Sequence, residues 1–584
     1  MVIGLVMSLV AMAFILPLHW LEEQGAHVDA GVVTWLVLLV PALGGLGSGL
    51  VHHLLPAPGS GPGVSRVMYA IHREKSRLAT RIGIRKWIAA TLTIGSGGSA
   101  GAEGPIATMG SVFGSQAGQW LGSGRQARAT LIGCGAAAGI ASVFNAPIAG
   151  VFFTLEVLLR DFSMRTFTPI VVSAVVSAAV TQGFLGNEAL FASGADITED
   201  AFTWIEIPNY LLLGLICGSV APLFVRSLFK TGALCERLPV SPIVRPAIGG
   251  LIVGMLGLAW ILLRPGDAGS AHGPVPGFMG NGYPVIRDLM GIDFWYEPVM
   301  AEGDDPVLRP AVMMIGFLVL IAAVKGVATC ITIGSGGAGG VFAPSMFLGA
   351  AIGGLFGYVV NLIGLFPSAS PAHYALVGMA AMVAATLHAP LTAMLIIYEI
   401  TRTYEVILPL MLAAVIATIV GRLWYRESVY TVTLTKRGLR LGSMSDLTIM
   451  RRLTVGDVPL IAPVFVRPEE SAERLLELAE KLSVSDFVVT DADGRYIGMV
   501  TDDDLTEALV FREAIPLLQV HELMRDDLPT MHPDDTLDIA VDRFADVEAG
   551  SVAVLSEPGS RTVLGLLSRN RLMRHYNDAL ESMG

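Results

Sequence analysis

The sequence predicts an α-helical polytopic membrane protein with a C-terminal α/β region. The first observation is composition: 53% of the 584 residues are hydrophobic, only 15% are charged, and the mean hydropathy is +0.63. The second is charge distribution, because the chain from Leu447 onwards holds 26 acidic and 13 basic residues, whereas the first 446 residues hold 24 and 25. The third is a glycine-rich segment that occurs twice within the apolar part. The long apolar runs therefore belong in a membrane and the acidic end in water.

The repeated segment reads TIGSGGSAGAEGP at 93–105 and TIGSGGAGGVFAP at 332–344, with eight of thirteen positions identical. Each copy precedes an apolar run, which predicts a glycine-rich loop that leads into a helix N-terminus. The free amides and the positive dipole end of such a helix form an anion site. The first copy contains one acidic residue, Glu103, where the second has Phe342. Because charge at membrane depth is costly, Glu103 is predicted to be functional.

A second pair of similar segments shows that the apolar region is duplicated. GAAAGIASVFNAPIAGVFFTLE occupies 135–156 and GMAAMVAATLHAPLTAMLIIYE occupies 378–399. Glycine and proline interrupt these runs, and broken helices at membrane depth are tolerated where protein or a water-filled cavity satisfies the backbone. Matched broken segments in two halves predict a transport site between the halves. Their relative orientation is not visible in the sequence.

The remaining membrane region gives its topology. The segment Met1–His19 is predicted to be a first membrane helix rather than a signal peptide, because it lacks a basic start and a cleavage site. A basic cluster between Arg73 and Lys86 predicts a cytoplasmic loop. The polar segment 264–310 is predicted to be in part a connector, and residues 326–398 contain no Lys, Arg, Asp or Glu. The four cysteines have no paired spacing, so neither disulfides nor a metal site is expected.

Three motifs taken in order, GSGPG (59–63), GAEGP (101–105) and GVFAP (340–344), resemble those of the CLC chloride channel and transporter family. The resemblance covers about residues 1–440. It implies the CLC fold, two inverted repeats of broken helices, in a homodimer with one anion pathway per subunit. By the same resemblance Glu103 is the gating and proton-carrying glutamate, and Lys86 acts electrostatically at the inner anion site. The chloride-binding residues that it implies are Ser60, Gly104, Val341, Phe342 and Tyr430.

The chain departs from the family pattern at three places. Ala102 stands where an arginine is usual, and proline occupies position 62 of the first motif. Exchangers usually carry two adjacent acids where this chain has Glu156 and Val157, the second acid being the internal proton acceptor. Neighbouring helix positions point in different directions, so Glu156 is not expected to replace it. The sequence therefore favours a chloride channel gated by voltage or pH, and the alternative is a chloride/proton antiporter that lacks the internal glutamate.

The acidic C-terminal region resembles a tandem pair of cystathionine-β-synthase (CBS) domains, with strand-like segments at 487–500 and 551–568. That family binds adenine nucleotides through a threonine or serine followed by an acid three residues later, a pattern met by Thr501 and Asp504. In the second copy Arg571 replaces the acid, so at most one ribose site is expected. A purely structural regulatory pair is the other interpretation.

The predicted domains are a CLC transmembrane chloride-transport domain (1–440), a linker (441–450), a first CBS domain (451–515) and a second CBS domain (516–584). The predicted partners are chloride, with bromide or nitrate as other anions, protons, membrane lipid and a second copy of the chain. No cofactor is required; chloride ions are expected to bind, an adenine nucleotide at the CBS pair is one of the two interpretations of that pair, and no metal or nucleic acid is expected. An enzyme is disfavoured because no nucleophile–base constellation is visible. The protein is predicted to be multi-pass, with its CBS domains in the cytoplasm.

Overall fold

The computed structural model describes the chain apart from residues 27–29, 57–62, 75, 187–190, 192–203, 264–274, 292, 297–298, 301–305, 308–310, 365–367, 438–449, 451–452, 483, 511–514, 548, 558–559 and 584. It divides into two compact units, Met1–Leu441 and Gly442–Gly584. The predicted linker at 441–450 lies almost wholly outside the described residues.

The first unit is almost entirely helical, and eight of its described helices are long and apolar enough to cross a membrane. Up to residue 185 it contains α1 (Val2–Ala26), α2 (Ala30–Leu54), α3 (Gly63–Arg73), α4 (Thr80–Gly95), α5 (Glu103–Trp120), α6 (Arg125–Phe144), α7 (Pro147–Phe153), a π-helical turn (Thr154–Leu159) and α8 (Met164–Leu185). After a 3₁₀ turn (Trp204–Glu206), it continues with α9 (Ile207–Glu236), α10 (Arg245–Leu263), α11 (Tyr283–Met290), α12 (Asp293–Tyr296), the antiparallel strands β1 (Val299–Met300) and β2 (Pro306–Val307), α13 (Ala311–Gly334), α14 (Phe342–Ile363), α15 (Pro371–Leu387), α16 (Pro390–Thr401), α17 (Ile407–Trp424) and α18 (Val432–Lys436).

The helices break at equivalent points in the two halves. α6 ends at Asn145, with φ of 53°, and α15 ends at His388, with φ of 57°, so both chains turn through the left-handed region. Two residues later Pro147 starts α7 and Pro390 starts α16. Proline fits a first helical turn because its missing N–H has no intrahelical partner there. The duplication seen in the sequence is therefore also a duplication of backbone geometry.

Glycines allow one helix pair in each half to touch backbone to backbone. A Cβ placed on Gly135 of α6 would lie 1.9 Å from the carbonyl oxygen of Gly110 on α5. In the second half, a Cβ on Gly378 of α15 would lie 2.2 Å from the carbonyl oxygen of Gly349 on α14. Such distances exclude any side chain at these positions. Close approach through small residues is a common way for membrane helices to associate, because lipid provides no hydrophobic driving force between them.

The two copies of the glycine-rich segment pair with each other. Gly101 N donates to Gly340 O at 2.8 Å, and Gly340 N donates to Gly101 O at 2.7 Å. Around this pair, Ser99 N donates to Thr332 Oγ1 at 3.1 Å. The equivalent bond, from Ala338 N to Thr93 Oγ1, measures 3.2 Å. The two bonds are equivalent, with the donor and acceptor copies exchanged. A two-fold relation between the halves produces this exchange.

Two glutamates extend this reciprocal pattern. Glu399 Oε1 and Oε2 accept from the amides of Ile148 and Ala149 at the start of α7, at 2.9 and 2.6 Å. Glu156 Oε1 and Oε2 accept from the amides of Leu391 and Thr392 at the start of α16, at 3.2 and 2.7 Å. Each half therefore caps a short helix of the other half. The antiparallel, reciprocal pairing shows a two-fold relation between the halves, as the predicted inverted repeats require.

The second unit contains two small sheets with helices. Its elements are a 3₁₀ turn (Val455–Asp457), β3 (Phe465–Val466), α19 (Ala472–Leu482), β4 (Phe487–Thr490), β5 (Tyr496–Val500), α20 (Asp502–Val510), a 3₁₀ turn (Ile515–Leu517), α21 (Val520–Leu523), α22 (Leu537–Asp546), β6 (Ser551–Leu555), β7 (Val563–Ser568) and α23 (Arg569–Met583). β3 pairs in parallel with β4, β4 pairs in antiparallel fashion with β5, and β6 does the same with β7.

The two halves of this unit hold each other through matching backbone bridges. Met499 on β5 bridges Arg525, and Leu566 on β7 bridges Ile461, each through a reciprocal pair of hydrogen bonds. The Asp493–Gly494 turn predicted between two strands is present, with Gly494 at φ of 76°, a conformation that glycine adopts without strain. The α/β fold predicted for the C-terminal region is confirmed.

Candidate anion site at the paired helix N-termini

The pairing of Gly101 with Gly340 places two helix N-termini side by side. α5 begins at Glu103 and α14 begins at Phe342, directly after the paired glycines. The first turn of each helix has amides without intrahelical acceptors, and both dipoles present their positive ends to this place. The arrangement predicted from the two glycine-rich motifs is thus an assembled pocket of amide donors.

Glu103 lies against the start of α14. Its side chain is only 3% exposed, and Oε1 accepts from Ala343 N at 2.7 Å. The amide of Phe342 also interacts with the carboxylate. A Cβ on Gly101 would lie 2.2 Å from both carboxylate oxygens, so only glycine leaves room for this conformation. The carboxylate occupies a position that suits a small anion.

Unsatisfied polar atoms surround the same place. Among the described residues, neither Glu103 Oε2 nor the hydroxyl of Tyr430 has a hydrogen-bond partner, and Tyr430 is 3% exposed. Most buried polar atoms are hydrogen-bonded, so an unpartnered phenol is a donor suited to a ligand that accepts. The two side chains are close enough to interact electrostatically. Ser65 Oγ on α3 donates to the backbone carbonyl oxygen of Tyr430 at 2.7 Å and so holds the backbone of Tyr430 against α3.

The other chloride-binding residues predicted from the resemblance lie in the same region where they are described. Val341 and Phe342 are 5% and 1% exposed at the start of α14. Gly104 follows Glu103, and a Cβ on it would lie 3.3 Å from Gly340 Cα. Ser60 lies outside the described residues. The structure brings Glu103, Gly104, Val341, Phe342 and Tyr430 together.

The last residue of the GSGPG motif links that motif to α5. A Cβ on Gly63 would lie 2.1 Å from Thr108 Oγ1 and 3.4 Å from Lys86 Cε. Thr108 Oγ1 in turn donates to Gly104 O at 2.7 Å. Lys86 is half-buried beside the start of α3. The structure therefore places this lysine next to the first motif rather than in contact with Glu103.

The region of the absent internal acid is apolar. Val157 is 5% exposed and belongs to the main hydrophobic cluster. Its neighbour Glu156 is engaged at the start of α16, where Thr392 Oγ1 adds a hydrogen bond of 2.7 Å. The helix is π-helical over Thr154–Leu159 rather than regular α, so the sequence argument used the wrong helical period. The predicted divergence of these two side chains is nevertheless observed.

The sequence interpretation missed Lys325 on α13. This lysine is fully buried, and Nζ donates to Phe278 O and Gly280 O, each at 3.0 Å. The ammonium also lies over the Phe347 ring, 5.2 Å from its centroid. A single charged residue within an apolar run was the available signal. The two carbonyls belong to 264–310, which the sequence predicts to be in part a connector; its stretch 276–290 packs in the core, where Phe278 and Ile286 are fully buried.

In the second unit, Thr501 and Asp504 are bonded to each other. Thr501 N and Oγ1 donate to Asp504 Oδ2 at 2.8 and 2.6 Å, at the start of α20. In the second copy, Arg571 Nη1 donates to Pro459 O and Leu460 O at 3.1 and 3.0 Å. The arginine therefore binds backbone where the pattern would place an acid.

The fold and the paired helix N-termini define a membrane transport protein for anions. A family model described as voltage gated chloride channel matches residues 44–422, and a CBS domain model matches 455–511 and 520–578. A ClcB-like chloride channel protein of Ralstonia nicotianae is 33% identical over 449 residues, covering 74% of this chain and 95% of the relative. The chain therefore belongs to the CLC family of chloride channels and transporters, which are not enzymes, and it carries a C-terminal CBS pair.

Other similar proteins include an exchanger and two solved structures. The H(+)/Cl(-) exchange transporter ClcA of Yersinia pestis is 29% identical over 484 residues, covering 79% of this chain and 91% of the relative. The structure of a slow cyanobacterial Cl⁻/H⁺ antiporter has a TM-score of 0.62 at 24% identity, covering 75% of this chain and 96% of that one. A eukaryotic CLC transporter has a TM-score of 0.63 at 20% identity, covering 98% and 96%. At these identities the two structures establish the fold.

Proposed function

We propose that this protein conducts chloride across a membrane and that Glu103 gates the pathway. The observation that carries the proposal is the position of the Glu103 carboxylate on the first amides of α14, without a cation in ion-pair contact among the described residues. A carboxylate held by helix amides is a tethered anion in an anion site. It competes with chloride for the same donors.

The mechanism follows from the donors. Chloride that enters apolar protein must exchange its water for fixed dipoles that hold it weakly enough to let it leave. Helix amides near Gly104, Val341 and Phe342 and the phenol of Tyr430 supply such dipoles, with the hydroxyl of Ser60 as a further donor. Bromide or nitrate, as larger monovalent anions, can use the same set. Protonation of Glu103, or an electric field that moves it, frees the amides and opens the path.

The arrangement in the membrane is part of the same proposal. The basic residues around Lys86 face the cytoplasm, where Lys86 raises the local chloride concentration. The CBS pair lies on the same side, after the basic exit from α17, and residues 1–440, 441–450, 451–515 and 516–584 are the domains. Two copies form a homodimer within the lipid, each with its own pathway.

We infer uncoupled conduction, a channel, from the environment of Val157. An exchanger must move protons between Glu103 and the cytoplasm, which requires a second titratable group or a chain of water molecules. Val157 is buried and apolar, and Glu156 is held by the start of α16. The likeness to the ClcB-like chloride channel protein supports this function. The second candidate is a chloride/proton antiporter, supported by the likeness to ClcA.

Proton movement against its gradient separates the two candidates. In liposomes with purified protein and an imposed chloride gradient, we expect chloride flux without net uphill proton transport, measured with an internal pH dye. Glu103→Gln serves as a control, because it removes the proton carrier in either case. Uphill proton movement in the wild type that disappears in this variant would contradict the channel and establish an antiporter.

For the tail, we propose that Thr501 and Asp504 bind the ribose of an adenine nucleotide. The hydrogen bonds from Thr501 to Asp504 fix both side chains at the start of α20. We propose that the ribose hydroxyls bind to the oxygen atoms held there. ATP at a hundred times its Kd should stabilise the tail by about 2.7 kcal/mol, read as a rise in Tm. Asp504→Ala should abolish the rise, whereas Asp493→Ala, at an exposed turn, should retain it. No rise in the wild type at millimolar nucleotide would leave a purely structural pair.

A further inference from the structure

Lys325 is linked to the loop directly before Glu103 through one carbonyl oxygen, that of Gly280. Gly280 O accepts from Lys325 Nζ at 3.0 Å and from Ala100 N at 3.2 Å. Gly280 N donates to Gly97 O at 3.2 Å. The ammonium therefore holds a segment that is bonded twice to the loop directly before Glu103.

The charge of Lys325 has no counter-charge in contact. Within the described part of the chain, its Nζ contacts two carbonyls and one aromatic ring, and no carboxylate lies within ion-pair distance. Its charge is nevertheless close enough to interact with that of Glu103. A fully buried charge inside a membrane is costly and by default a functional candidate. Lys325 is therefore a buried cation whose field acts on Glu103.

Other ionisable groups near α5 are accounted for. Lys325 and Tyr430 interact electrostatically with Glu103, and a phenol is neutral at physiological pH. The remaining described ionisable residues on the helices packed against α5 are Arg66, Tyr69, His72 and Arg73 on α3, Arg81, Arg85 and Lys86 on α4, Arg125, Arg128 and Cys134 on α6, and Tyr358 on α14.

We propose that Lys325 is a positioning residue of the gate, which holds Glu103 on the start of α14 and thereby sets the pH at which the pathway opens. The inference rests on the proposed gating role of Glu103. While Lys325 is protonated, its positive charge favours the ionised carboxylate, and the bond to Gly280 keeps the loop in the conformation that presents it. Without the charge, Glu103 takes up a proton at a lower proton concentration, so the pathway opens at higher pH.

Two variants separate the charge from the hydrogen bond. Lys325→Gln retains a donor for the carbonyls without the charge, and Lys325→Arg retains the charge. Chloride flux from liposomes that contain the full-length protein is measured across a pH series. We expect the half-maximal flux of Lys325→Gln to move up by about one pH unit, and that of Lys325→Arg to stay near the wild type. In a Glu103→Gln background, Lys325→Gln should add no pH dependence.

The outcomes are distinct for the gate and for the lysine. If Glu103→Gln keeps the wild-type profile, the gating role itself fails. If Glu103→Gln is pH-independent but Lys325→Gln has the wild-type midpoint, the gate stands and this inference is overturned. A lysine with only a structural role would lower the yield of folded protein without moving the midpoint, which also overturns it. Should Lys325→Gln not fold, Lys325→Met is measured for the same shift.

Discussion

Glu103→Gln should conduct chloride at every pH and lose the steep pH dependence of the wild type. Glutamine is close in size to the protonated glutamate but cannot ionise, so it does not compete as an anion for the amides of α14. In the wild type the protonated fraction falls about tenfold for each pH unit above the midpoint of the gate, so two units above it the variant should exceed the wild type by about a hundredfold. Chloride efflux from liposomes at a series of pH values measures this.

Glu156→Gln is the matched control. It also replaces an intramembrane carboxylate by an amide, but this carboxylate caps α16 rather than lying on the start of α14. Its flux should keep the wild-type pH profile. A Glu103→Gln profile indistinguishable from the wild type would show that another group controls the pathway.

Gly378→Val should abolish the folded membrane unit. A Cβ at this position would lie 2.2 Å from the carbonyl oxygen of Gly349, so α14 and α15 must separate over their whole crossing. Overpacking typically costs 1–3 kcal/mol when neighbouring side chains can yield, and here the obstacle is backbone, so we expect the upper end of about 3 kcal/mol or more. The measurement is the monodisperse fraction and Tm in detergent.

A glycine in open surroundings provides the control for this substitution. Gly183 on α8 is exposed, and a Cβ on it would have no heavy atom of another residue within 4 Å, so Gly183→Val should express and melt like the wild type. Gly135→Val, at the equivalent crossing of α5 and α6, should fail as Gly378→Val does. A monodisperse Gly378→Val with the wild-type Tm would mean that the crossing opens at little cost.

The sequence alone located the amide pocket but not the relation between the halves. Glycines at equivalent positions before two apolar runs predict loops that lead into helix N-termini. The isolated carboxylate of Glu103 in one of these loops marks the site as functional. Similarity between two segments carries no orientation, however. Only the reciprocal bonds, such as those between Gly101 and Gly340, show that a two-fold axis relates the halves.

Lys325 could not be assigned from the sequence for a different reason. Its partners are the backbone carbonyls of Phe278 and Gly280, and any residue type can supply a carbonyl. The segment that contains them is rich in glycine and proline, as connectors are, yet it packs in the core. For Thr501 and Asp504 the sequence identifies the residues but not their role, because the same spacing serves a helix cap and a ribose site alike.

The exchange of caps by Glu156 and Glu399 has a consequence for biogenesis. When the ribosome has completed α7, the amides of Ile148 and Ala149 still lack their acceptor, which arrives only some 250 residues later in the chain. The first half must therefore remain in the translocon or lipid with the N-terminus of α7 uncapped until Glu399 has been synthesised. A separated first half carries its own copy of the missing group, Glu156, and two such fragments could finish each other's helices as a homodimer. Within one polypeptide, the two halves therefore contact each other as the two subunits of a symmetric dimer do.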